Sequence, residues 1–209
     1  MKKNYEMDMC SGPILGKLLT FTIPLIFSGI LQLLFNAADV IVVGRFAGSQ
    51  SLAAVGSTTA LINLMINIFI GLSVGVNVIV ARYYGAKREK DVQDTIHTAM
   101  ALSIVSGLFL IILGQLLSRP MLELMGTPDD VIDKSTIYMR IIFIGMPANM
   151  IYNFGSAILR AVGDTKRPLY FLTAAGVINV VLNLFFVIMF RMDVAGVSLA
   201  TAISQAISA

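Results

Sequence analysis

The chain has 209 residues, of which 57% are apolar and only 13% charged, with a formal net charge of +3. Soluble domains carry about 25% charged residues, so this composition argues against a soluble fold. The basic residues sit in short stretches between apolar runs, so no nucleic-acid partner is needed to explain the surplus.

Residues 1–13 hold Lys2, Lys3 and Cys10, the only cysteine. They form a short N-terminal segment, and a lone cysteine builds no disulfide framework. The apolar run that follows outlasts a signal-peptide core and lacks a clear small-residue cleavage site, so it is a retained first helix, about 14–46. Pro24 lies inside it and should kink it, because proline removes a backbone donor. Further helices are expected at about 51–81, 92–117, 131–159 and 168–190, and from about 195 to 209. The last carries neither charge nor cap before Ala209, so helix 6 is expected to be incomplete. Charge-free stretches at 18–38, 46–81, 95–118, 141–159 and 168–190 are each able to cross a hydrocarbon core of about 30 Å at 1.5 Å per residue. Barrel strands alternate every other residue and these runs do not. The connection 119–133 mixes apolar and acidic residues around Gly126 and Pro128 and is expected to form a short interfacial turn of helix. The expected fold is all-α, a polytopic transmembrane bundle of six helices over residues 14–209.

Orientation follows from the basic residues. With the N-terminus in the cytoplasm, Lys2, Lys3, Lys17, Arg82, Lys87, Arg88, Lys90, Arg160, Lys166 and Arg167 lie inside. Arg45, Arg119, Lys134, Arg140 and Arg191 lie outside. That bias favours an N-terminus in the cytoplasm of the cell membrane.

Polar residues within the helices fall on shared faces. Gln32, Asn36 and Asp39 are spaced i, i+4, i+7 in helix 1; Asn179 and Asn183 are four apart in helix 5; Asn149, Asn153 and Ser156 align in helix 4, with Tyr138 further out. Membrane bundles use such amides as interhelical hydrogen-bonding glue, the reading favoured for Asn63, Asn67 and Asn77. Asp39 differs, because an acid inside a membrane is by default a site for an ion or a substrate. Asp39, Asn183 and Thr201 each lie about seven residues from the outer end of their helix, on the order of 10 Å deep and at one level. A carboxylate, amide oxygens and a hydroxyl together suit a hard cation or a proton. Catalysis lacks the needed partners, since the only histidine, His97, sits near the inner end of helix 3.

Asn36-x-x-Asp39 before Val43-Gly44 and Ala47-Gly48, the loop Tyr84-Gly85-Ala86-Lys87, the stretch Gly155 to Arg167, the Asn179 and Asn183 pair, and Gly196 to Gln205 together resemble the multidrug and toxic compound extrusion transporters. The resemblance covers essentially the whole chain. It implies an N-lobe of a twelve-helix, two-lobed fold that exports amphipathic or cationic compounds in exchange for H⁺ or Na⁺, with no other cofactor and with the lipid bilayer around it. It places a cation site on Asp39, Asn179, Asn183 and Thr201, which would also hold Na⁺. Gln32, Asn36, Tyr138 and Asn153 form the supporting network, and Pro24 is a hinge. Asn183 stands where some members carry a second acid, which leaves H⁺ and Na⁺ both open. Only about half of the family's length is present, so a C-terminal lobe or second half is an implied partner. A lipid-linked glycan flippase of related architecture is an alternative, although it would be expected to carry mid-membrane arginines that this sequence lacks. A non-transporting fragment is another.

Overall fold

A computed structural model describes Met7 and residues 14–209; Cys10, Lys2, Lys3 and the rest of the N-terminal segment lie outside the described residues. Among the described residues every regular element is a helix. Helix α1 spans Ile14–Val42 and widens into a π-turn at Val43–Ala47; α2 spans Ser49–Gly85; α3 spans Glu89–Leu124; α4 spans Asp129–Ile144; α5 spans Met146–Ala161. Helix α6 spans Lys166–Leu184 and also ends in a π-turn, Phe185–Met189, before α7 at Asp193–Ser208. Four helices are long and apolar enough to cross a membrane, and α4 with α5, bent by 48° at their junction, is long and apolar enough as a pair to make a fifth, broken span. The chain is a multi-pass membrane protein.

Local chemistry sets the breaks. Gly48, Gly126 and Gly163 take positive φ at three turns, and Asp129 and Asp130 follow Pro128 to start α4 with negative charge at a helix N-terminus. The fourth span, expected to be continuous over 131–159, is two helices instead. Pro147 has no N–H to offer the preceding turn, and Gly145 ends α4 just before it. The expected separate turn over 119–133 is also absent, because α3 runs on through Pro120 to Leu124. Leu122 is fully buried there, and Arg119 bridges Glu123 and Asp133 at 3.0 Å each, so packing holds the last turn together. Helix α1 likewise continues without a break through Pro24, which is buried. At the α5–α6 turn, the fully buried Asp164 accepts the backbone N–H groups of Lys166 and Arg167 at 3.1 Å, capping α6. Gly163 has φ +86, and a Cβ there would stand 3.0 Å from the Met7 nitrogen, so only glycine admits both the turn and Met7.

Two apolar clusters hold the bundle. The larger gathers Leu61, Val80, Leu110, Leu122, Met139, Phe143, Met146, Met150 and Phe154 from α2 to α5. The smaller, of Val42, Val43, Ala54, Val55, Val131, Val187, Val194 and Val197, lies where α1 and α6 end and α2, α4 and α7 begin. In lipid there is no hydrophobic drive between helices, so close approach through small residues matters more. Helix α3 presents Ser103, Gly107, Gly114 and Ser118, all buried, on one face toward the broken fourth span. Asn77 donates to the Ala157 carbonyl at 2.7 Å and ties α2 to α5 as expected of glue. Asn63 and Asn67 do not; both are exposed on α2, with no hydrogen-bond partner among the described residues.

Candidate functional site

Helices α1, α5, α6 and α7 line a half-open cavity of about 130 Å³. Its lining includes Gln32, Asn36 and Asp39 from α1, Asn149 and Asn153 from α5, Asn179 from α6, and Thr201 and Gln205 from α7. No lysine, arginine or histidine lines it, and Asp39 makes no ion pair among the described residues. The space suits a few waters or one partly hydrated ion, since a water occupies about 30 Å³ in the liquid. A drug-sized ligand needs roughly 300–1,000 Å³.

The approach of α1 to α6 that creates the site depends on Gly176. A Cβ at that position would overlap the Phe35 ring, so its absence lets Phe35 seat against α6 and brings Asp39 to Asn183. Asn183 is fully buried and gives one N–H to Asp39 Oδ1 and the other to Asn179 Oδ1 at 3.1 Å. Asn179 in turn donates to Thr201 Oγ1 at 3.2 Å, and the Thr201 hydroxyl donates to the Val197 carbonyl at 3.0 Å. Turning the Asn183 amide over would set its oxygen against the Asp39 carboxylate, so the network fixes its orientation. Asn183 Oδ1 is then buried with no donor, as is Gln205 Oε1 beside the α4–α5 break. The donors of Asn183 and Thr201 are committed, and oxygen lone pairs are left over.

Of the residues expected at the site, the structure brings Asp39, Asn179, Asn183 and Thr201 into one hydrogen-bonded chain and sets Gln32, Asn36 and Asn153 on the cavity wall. Asn153 donates to the carbonyl and side-chain oxygens of Asn149 at 2.8 and 2.9 Å. Tyr138 packs against both apolar clusters, within electrostatic reach of Asp39, but is neither among the residues lining the cavity nor hydrogen-bonded to the chain of side chains. Gln205 and Asn149 are further wall residues. Gln205 lies four positions after Thr201 and Asn149 four before Asn153, so helical spacing is the signal that finds them. No group of three or more His, Cys, Asp or Glu that could hold a metal occurs among the described residues, so any ion here would rest on one carboxylate and neutral oxygens.

The family model MatE matches residues 24–185, which include all of the first four spans after Pro24 and most of the fifth. The chain belongs to the MatE family. MatE proteins are transporters, not enzymes. Over 162 residues the chain is 35% identical to "Probable multidrug resistance protein YoeA" of Bacillus subtilis, covering 78% of this chain and 35% of that protein. It is 31% identical to "Probable multidrug resistance protein YpnP" of the same organism, covering 96% and 45%. A crystal structure titled MATE in the bent conformation superposes with a TM-score of 0.86 at 26% identity, over 92% of this chain and 43% of that one. The chain therefore spans less than half the length of these relatives, and its helices have the arrangement of a MatE bundle.

Proposed function

We propose that this chain forms the N-terminal lobe of a cation-coupled multidrug exporter, an H⁺ or Na⁺ antiporter of amphipathic or cationic small molecules, in the cytoplasmic membrane. The observation that carries the reading is the buried Asn183 oxygen, left without a donor beside a carboxylate that has no cationic partner. Hard cations seek oxygen ligands, and a buried polar atom without a partner costs about 1–3 kcal/mol. An arriving cation would take the Asp39 carboxylate and the Thr201 oxygen from the cavity wall, and the Asn183 oxygen, which does not line the cavity, would join them only on a shift of that amide. A proton would neutralise Asp39 but would still leave the Asn183 oxygen without a donor unless the carboxyl turned toward it.

The export half of the reading draws on the relatives named as probable multidrug resistance proteins, and it needs a second half. A cavity of about 130 Å³ is too small for such substrates. The outward stripe of α2, running Gly56, Ala60, Asn63, Asn67 and Gly71, fits that need. Lone amides facing lipid are costly, and small residues let another helix approach closely. A C-terminal lobe seated there would complete the drug site.

Two experiments test this. Asn183→Ala and Thr201→Ala each remove one neutral oxygen and should weaken saturable cation binding by the purified chain on the order of tenfold, about 1.4 kcal/mol each. Binding measured by Na⁺ titration at several pH values, unchanged in both variants, would remove the site. For orientation, cysteines at Ser49 and Lys87 should react with impermeant maleimide from opposite sides, Ser49 from outside. Reaction of both from one side would reverse the map.

A further inference from the structure

We propose that Lys134, Asp193 and Ser51 form a three-helix latch that sets the position of α7, so that the Thr201 hydroxyl meets Asn179. Lys134 Nζ of α4 lies 2.7 Å from Asp193 Oδ2 at the start of α7 and donates to Ser51 Oγ of α2 at 3.2 Å. The Ser51 hydroxyl donates to the other oxygen, Asp193 Oδ1, closing a ring of three side chains from three helices. Ser57 and Ser135, 3.1 Å apart, add a second tie between α2 and α4 beside it.

Exposed ion pairs contribute little to stability, and this pair, itself about one-third exposed, differs from them in closing on a buried third member. Ser51 is fully buried, and the Lys134 and Asp193 side chains are only 33% and 34% exposed. Asp193 also sits at φ +53, with Arg191 at +51 two residues before it, so the short link from α6 enters α7 through two left-handed non-glycine residues. Such conformations persist where the surroundings hold them. Burial pushes the Asp193 carboxyl up, but the hydrogen bonds from Lys134 and Ser51 and the Lys134 charge outweigh it and hold the group below the ordinary carboxylate range. The negative charge also lies at the N-terminal end of α7, where the helix dipole favours it. Below the latch, Val194 and Val197 are packed into the smaller apolar cluster. Helix α7 therefore transmits the placement of Asp193 to Thr201, eight residues on and about 12 Å along the axis. The Asn179 to Thr201 bond at 3.2 Å has no slack for a displacement of an ångström. The service to cation binding rests on the function proposed above; the seating of α7 does not.

The test is region-resolved hydrogen exchange on the full chain in lipid nanodiscs. Asp193→Asn and Lys134→Met should each speed exchange over 193–201 at least tenfold and leave the middle of α3 unchanged. Lys134→Arg keeps charge and reach and should retain wild-type protection. In the Asp193→Asn/Lys134→Met double variant no lone charge remains, so exchange should be slower than the two single effects multiplied. Wild-type protection in both single variants, or independent effects in the double, would overturn the latch. Na⁺ titration at several pH values then separates the two proposals. If the wild-type chain binds a cation, Asp193→Asn must raise half-saturation at least threefold, and an unchanged value would overturn the positioning role. A wild-type chain without saturable binding counts against the Asp39 site, and exchange alone then decides the latch.

Discussion

Asp39→Asn should uncouple export from the ion gradient in a transporter that carries this lobe. The substitution keeps the shape of the side chain and its contact with Asn183, but fixes the site as neutral. A coupling ion drives a conformational change only through its different affinity for the two states. Without a carboxylate that difference falls to the contribution of neutral oxygens, so ion-driven efflux should drop at least tenfold toward the passive rate. Equilibrium drug binding, which depends on the wider cavity, should stay within about threefold of wild type, a change of under ~0.7 kcal/mol. Efflux and drug binding measured on the same preparation decide the matter. Wild-type coupling in Asp39→Asn would make the residue a structural acid paired with amides.

The largest effect on stability is expected at Gly107 and Gly114. A Cβ at Gly107 would land on the Pro147 backbone, 2.9 Å from its nitrogen, and one at Gly114 would overlap the fully buried Phe143 ring. Alanine should gain about 1 kcal/mol from helix propensity, while overpacking of a filled core costs about 1–3 kcal/mol and more where backbone must move. Steric cost wins at both sites, and more clearly at Gly107, where a proline backbone rather than a side chain stands in the way. Gly29 is the control. Nothing lies within 4 Å of a Cβ there, so Gly29→Ala should be neutral or stabilising. Thermal unfolding in detergent ranks the three. Equal Tm values for Gly107→Ala and Gly29→Ala would contradict the close approach of α3 to the fourth span.

Much of the candidate site is legible without coordinates, for a physical reason. Helical spacing puts Asn179 and Asn183 on one face, and Gln32, Asn36 and Asp39 on another. An acid within a span needs a polar neighbour, so counting residues from the helix ends is enough to bring Asn183 and Thr201 to it. What eluded that reasoning depends on contacts between distant segments or on competition between local rules. The break at Gly145 belongs to the second kind: the run 141–159 is charge-free and looks continuous, yet Pro147 removes a donor and Gly145 offers no resistance to a turn. The extension of α3 through Pro120 is its mirror image, where the burial of Leu122 outweighs the proline. Tyr138 has a spacing that points toward the Asn149 and Asn153 face, but it lies before the break and packs against both apolar clusters. The bond from Ser51 to Asp193 spans 142 positions, and no local pattern announces it.

The pairing of α1 with α6 also has a consequence in time. Asp39 and Asn183 are 144 residues apart, and synthesis proceeds at about 5–20 residues per second, so roughly 7 to 30 s separate the emergence of the acid from that of the amide that receives it. During that interval α1 is in the bilayer, or held at its edge, before Gly176 exists to seat Phe35. A nascent span with an unmatched carboxyl is one that the insertion machinery or the headgroup region must shelter until its partner arrives. Slowing elongation between residues 50 and 170 would lengthen that exposure, and yield would register the delay before any measurement on the finished fold could.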